Sequence, residues 1–177
     1  MRLCPSSTDL WVKSMKTIEI FGDPTKSREY KYLREGCRGI IIRDGKILLS
    51  YEREVDQYLI PGGGLEEGES LVDCCIRELA EECSAVVEPK DHYLLLEEFY
   101  HENYFKSHYF VCELVGECQN HLTDEEMARG LVPVWLDFDQ TLKIFSDYQK
   151  YENTDKMRYG AYYREMLALL EYMNLNK

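Results

Sequence analysis

Three carboxylates carry the chemistry of this chain. Between Gly63 and Ala85 it reads GGLEEGESLVDCCIRELAEECSA, which places Glu78, Glu81 and Glu82 at i, i+3 and i+4. On a helix such residues are neighbours, and on a solvated surface their repulsion costs only a few tenths of a kcal/mol. In a cleft the same repulsion grows to about 3 kcal/mol for a pair roughly 5 Å apart at an effective dielectric near 20, so a proton or a cation should relieve it. Hard carboxylate oxygens select Mg²⁺ or Mn²⁺. The bland alternative for any three-glutamate helix is a solvated acidic face. What argues against it is the company the acids keep: a glycine loop ahead of them and Arg77 beside them.

The spacing predicts a helix over 71–83. Ser70 and Asp73 stand at capping-box separation, and an acid in the first turn suits the helix dipole. At about 100° per residue, Val72, Ile76, Leu79, Ala80 and Cys83 form one apolar stripe, with Glu78, Glu81 and Glu82 on the opposite side. Ahead of the helix lies Pro61-Gly62-Gly63-Gly64. Glycines let backbone approach a ligand closely, and Pro61 stops the strand expected at Tyr58 to Ile60.

Gly63, Glu69 and the run Arg77-Glu78-Leu79-Ala80-Glu81-Glu82 resemble the Nudix box of enzymes that hydrolyse nucleoside diphosphates linked to another moiety. At usages of roughly 5 to 10% per residue type, an accidental match at one register is on the order of 10⁻⁸. The resemblance implies an α/β fold, a Nudix-like α/β/α sandwich with a mixed β-sheet. It implies Mg²⁺-dependent (or Mn²⁺-dependent) attack of water on the diphosphate linkage of a nucleotide, nucleoside triphosphates being the first substrate class. It gives Glu78, Glu81 and Glu82 to metal ligation and catalysis, with Glu78 or a carboxylate from a later loop as the base, and adds the Gly62 carbonyl as a further ligand. Glu125 and Glu126 are the candidates for the later acid. Glu69 and Arg77 become a structural brace, and Arg53 the best-placed phosphate contact, ahead of Arg38 and Lys106. One box position departs, the last glycine being Ser84. That glycine usually ends the helix in a left-handed conformation costing another residue about 1 kcal/mol, so a shifted helix end with retained activity is expected.

These groups need a scaffold, and the remaining pattern supplies strands and helices to build it. A short strand is expected over 17–21, and a hairpin over 38–51 turning at Asp44-Gly45. Strands are expected over 93–100, 105–115 and 131–136, with a loop holding Glu125 and Glu126 before the last. Helices are expected over 138–148 and 157–173, the second carrying a tyrosine-rich stripe read as core before dimer face. Residues 1–16 are treated as an extension, and 17–177 as a single domain including the C-terminal helices.

Composition narrows the partners. The 177 residues carry 33 acids against 21 bases, a net charge of −12, which disfavours duplex nucleic acid because that binding rests on Lys and Arg. A catalytically silent nucleotide-sensing module, or an RNA-end pyrophosphohydrolase, are the alternative functions, the second weakened by the same charge. Seven cysteines without a CxxC pair read as reduced thiols, Cys74 and Cys75 as small packing residues. No stretch approaches the ~20 apolar residues of a membrane span. A cytoplasmic protein with a small nucleotide substrate is expected, with a homodimer suggested by analogy.

Overall fold

Alternation along three strands divides the interior in two. In β2 (Tyr32–Ile40), β4 (Lys46–Glu52) and β8 (Asn103–Glu117), successive side chains face opposite sides. Cys37, Leu48, Phe110 and Cys112 join one core with Cys74, Cys75, Leu79 and Cys83. Ile40, Ile47, Leu49 and Tyr109 join another with Phe145, Tyr162, Ala168 and Leu169. The computed structural model describes residues 15–22, 25–119 and 121–175. Most of the expected extension lies outside them, and Lys16 already opens the first strand, β1 (Lys16–Phe21).

Two sheets carry these strands. One is mixed, in the order β1, β7 (Ala85–Tyr100), β8, β2, β6 (Gly62–Gly64), with β1 parallel to β7 and β2 parallel to β8. The other centres on β4, flanked by β9 (Leu131–Asp137) on one side and by β3 (Ile42–Arg43) and β5 (Gln57–Leu59) on the other. Helix α1 (Leu71–Cys83) covers the first core, while α3 (Phe138–Ser146) and α4 (Lys156–Leu175) cover the second. This is the expected α/β/α sandwich with a mixed sheet. Among the described residues, no helix is long and apolar enough to cross a membrane.

The hairpin over 38–51 is shorter than the apolar pattern suggests. Only Ile42 and Arg43 pair with Ile47 and Lys46, around Asp44 and Gly45 at φ 53° and 74°. The arm before them stays in the other sheet as β2. Within β2, a Cβ on Gly39 would run into the Leu79 side chain, so its absence lets α1 lie flush on β2. Of the tyrosine-rich stripe of α4, Tyr162 packs inward as core with Met166 and Leu167, edge-on to Phe145 and to Tyr151, whereas Leu170 is 39% exposed.

Candidate active site

Arg77 is the hub of the site. Its Nε and Nη2 donate to the two oxygens of Glu69, both at 2.8 Å, and Nη2 also reaches the Gly64 carbonyl at 3.0 Å. Nη1 turns the other way, to Glu78 Oε1 at 2.8 Å and Glu81 Oε2 at 3.1 Å. A planar guanidinium can serve a loop and a helix at once because its donors form a rigid fork. The Arg77 hydrogen bonds hold the Glu69 carboxyl below its ordinary range. The structure brings Glu69 and Arg77 together, and the same arginine also pairs with two of the three helix acids.

Glu82 is held from the other side. Ser50 Oγ donates to its Oε2 at 2.6 Å, and the Gly62 amide to the same oxygen at 3.1 Å. Burial pushes this carboxyl up to about 7, against the pull of Ser50, the Arg38 charge and the Gly62 amide. Burial raises Glu78 as well, opposed by Arg77. Glu81 is the open member, its side chain 35% exposed.

Glycine is required where the loop meets these acids. Gly62 sits at φ 144°, and a Cβ there would collide with the Cys37 carbonyl and the Arg38 Cα. A Cβ on Gly63 would enter the space of the Glu78 carboxylate. The loop is pressed onto β2, with the Gly39 amide on the Pro61 carbonyl at 3.0 Å and Arg38 Nη1 on the Ile60 carbonyl at 2.7 Å.

Several expectations need correction. Val72, placed on the packed stripe, is 45% exposed, while Glu78 and Glu82 are buried at 7% and 8%. The packed face lies nearer the acids than the stripe implies and includes Cys74 and Cys75, both fully buried. Ser84 does not shift the helix end. It takes the left-handed cap itself at φ 56°, ψ 23°. The loop of Glu125 and Glu126 is a turn of helix, α2 (Asp124–Ala128), in which the Glu126 carboxylate caps the Thr123 amide at 2.7 Å. Its charge still reaches Glu78, whereas the Glu125 carbonyl accepts the Arg129 amide. Arg53 is exposed in the β4–β5 connection, its amide on the Gly130 carbonyl, and is not among the groups that contact the α1 acids. Arg38 points beneath the loop as a clamp, and Lys106 lies over the Tyr104 ring.

Ser50, Glu52 and Arg129 escaped the sequence reading. Ser50 shares its face of β4 with Leu48, so one polar residue at an inward position of an apolar strand was the available signal. Glu52, two residues on, is buried and accepts from Arg129 Nη1 at 3.1 Å, tying α2 to the end of the site.

The donor set is carboxylate and carbonyl oxygen, the chemistry that suits Mg²⁺ or Mn²⁺. Among the described residues no three Asp, Glu, His or Cys side chains already converge as a cage, because Arg77 stands between Glu78 and Glu81 and Glu82 is turned to Ser50. Glu78 Oε2 and Glu81 Oε1 lie outside the Arg77 contacts. In donor chemistry these residues fit a divalent cation.

A family model described as NUDIX domain matches residues 34–156. No curated protein matches the chain in sequence. Among solved structures, a NUDIX hydrolase from Nitrosomonas europaea aligns at 22% identity and TM-score 0.54, over 75% of this chain and 88% of that one. A MutT protein from Methanosarcina mazei Go1 aligns at 20% identity and TM-score 0.49, over 64% of this chain and 83% of that one. An ADP-ribose pyrophosphatase from Streptococcus suis 89-1591 aligns at 17% identity and TM-score 0.42, over 60% and 75%. The Nitrosomonas alignment shows a shared fold, and the match over 34–156 spans β2 to the start of α4, the whole of the site included. On that match, the chain belongs to the Nudix family and is an enzyme of the pyrophosphohydrolase class.

Proposed function

We propose that this protein hydrolyses the diphosphate linkage of a nucleoside diphosphate derivative with Mg²⁺ or Mn²⁺, nucleoside triphosphates being the first substrate class. The supporting observation is Arg77, which joins the loop acid Glu69 to Glu78 and Glu81 beneath Gly64 while Glu82 is anchored to Gly62. Residues 17–177 act as one catalytic domain in this reading.

Water must attack a phosphorus that is already anionic, so neutralised charge and a positioned base dominate the barrier. A divalent cation, when bound, supplies that neutralisation and acidifies water. Glu81 and Glu82 would hold it, with the Gly62 carbonyl and Glu78 as further donors. Glu81 is the donor most open to solvent. Glu78 is raised by burial, the direction a base working near neutral pH requires. It takes the proton of the attacking water at Oε2, the oxygen that Arg77 leaves aside. Arg77 and Glu69 keep the glycine loop seated on the helix while charge moves beneath it.

The test is a panel of nucleoside triphosphates, nucleotide sugars, ADP-ribose and dinucleoside polyphosphates, incubated with Mg²⁺ in ¹⁸O-labelled water. One class should be cleaved, with label in one product. Glu81→Gln and Glu82→Gln should each lower turnover by about 100-fold or more, the scale set by removing one electrostatic stabiliser. Cleavage of nothing, or cleavage that survives both substitutions, sinks the reading.

A further inference from the structure

On the opposite side of the sheet from α1, helix α4 buries a carboxylate that the site as described does not use. Glu165 is 0% exposed. It pairs with Arg164 Nη2 at 3.2 Å and Arg38 Nη1 at 3.7 Å, and accepts from the Tyr109 hydroxyl at 3.2 Å. Buried carboxylates persist when their charge is matched. Arg164 has a second acid, Glu98, at 3.4 Å. Arg38 has Glu165 as its ion-pair partner, and the same Nη1 donates to the Ile60 carbonyl at 2.7 Å.

Ile60 immediately precedes the glycine loop. The contacts run in series: Glu165 on α4, Arg38 on β2, the Ile60 carbonyl, then the Gly62 amide on Glu82 of α1. Gly62 pairs with Arg38 across β6 and β2, so closely that a Cβ on it would collide with the Cys37 carbonyl and the Arg38 Cα. A shift of the Arg38 guanidinium is therefore passed to the Gly62 amide. We propose that Glu165 is a positioning residue for the active-site loop, acting through Arg38 on the Ile60 carbonyl and so on the Gly62 amide that holds Glu82. The role rests on the hydrolase reading above for its catalytic consequence. It assigns to α4, which begins where the family match ends, a part in the site.

The experiment pairs amide hydrogen exchange at Gly62 and Gly39, followed by NMR on the full chain without substrate, with steady-state kinetics on the nucleotide that the panel selects. Glu165→Gln removes the charge and keeps the shape, and should speed exchange at both glycines. It should lower kcat by about 10- to 100-fold, the scale of a small misplacement at the chemistry, with KM within twofold of wild type. Glu165→Asp keeps the charge and should fall between. Tyr93→Phe, which deletes the hydroxyl contact of Tyr93 with the Ala168 carbonyl and keeps the ring, loosens α4 without removing a contact of the Arg38–Glu165 pair and should leave kcat and Gly62 exchange unchanged.

Wild-type exchange at Gly62 in Glu165→Gln overturns the positioning role. So does a Tyr93→Phe protein that reproduces both changes at an equal loss of Tm. If Glu165→Gln does not fold, the Asp variant decides by the same two measurements. A wild-type protein that cleaves nothing overturns the hydrolase reading alone, because the exchange comparison needs no substrate.

Discussion

Glu82 is the residue at which structure and chemistry pull hardest against each other. An exposed carboxyl stays ionised at neutral pH, yet this one is raised from 4.5 to about 7 by burial. The sign of the stability effect follows. The unfolded chain gives up this proton near 4.5 and the folded chain near 7, so the contribution is complete below the unfolded value and is lost as pH climbs through the folded one. At roughly 1.4 kcal/mol per unit, the loss approaches about 3 kcal/mol above pH 8. In a chelating buffer, Glu82→Gln should therefore be more stable than wild type at pH 8 by up to that amount, and indistinguishable at pH 4. Urea titrations at the two pH values check it, and equal stability at pH 8 would show that Glu82 is solvated. The box acids were legible as a trio because their types and spacing are specific. Their inequality was not, since Ser50 lies 32 residues from Glu82 in the chain and only the pairing of β4 brings them together.

At the scale of single elements, α1 shows what periodicity resolves and what it misses. Its ends were readable, because Ser70 accepts the Asp73 amide as the cap spacing implies. Its facing was off, because a pair of adjacent cysteines is weak hydrophobic signal in a sequence and full burial in a structure. Glu125 and Glu126 illustrate the same limit: a capping box read as a loop, with its glutamate spent on Thr123. Ser84 closes the helix in the conformation that favours glycine, its amide reaching the Ala80 and Leu79 carbonyls. Substituting glycine should recover about 1 kcal/mol. For a chain of this size that raises Tm by about 2 to 4 °C. Turnover should stay within twofold, since the cap touches neither loop nor acids. Calorimetry and a kinetic assay on Ser84→Gly settle both halves. A large rise in turnover would mean instead that the serine strains the acid-bearing turn.

Across the whole molecule, the question is how much chain the site needs. The family match stops at 156, and the box alone shows nothing beyond its own loop and helix. The apolar stripe of the last helix was legible, yet its docking was not, because the pattern shows that a face is buried without showing which core it fills. In the structure α4 fills the core that the box does not touch. Tyr162, Ala168 and Leu169 are buried against Phe145, Leu94 and Tyr109, with Tyr93 bonded to the Ala168 carbonyl. Deleting a single large buried side chain costs about 2 to 5 kcal/mol, and total stability is about 5 to 15 kcal/mol. Losing Tyr162 and Leu169 in this way, together with the partly buried Met166, Leu167 and Tyr172, exceeds what the remainder can offset. A chain ending at Asp155 should therefore retain every box residue and still fail to form the native packing. The expected signs are binding of a hydrophobic dye, loss of near-ultraviolet dichroism and no sharp thermal transition. A truncated protein that unfolds cooperatively within a few degrees of the full chain would instead make residues 34–156 the folding unit and α4 an accessory to it.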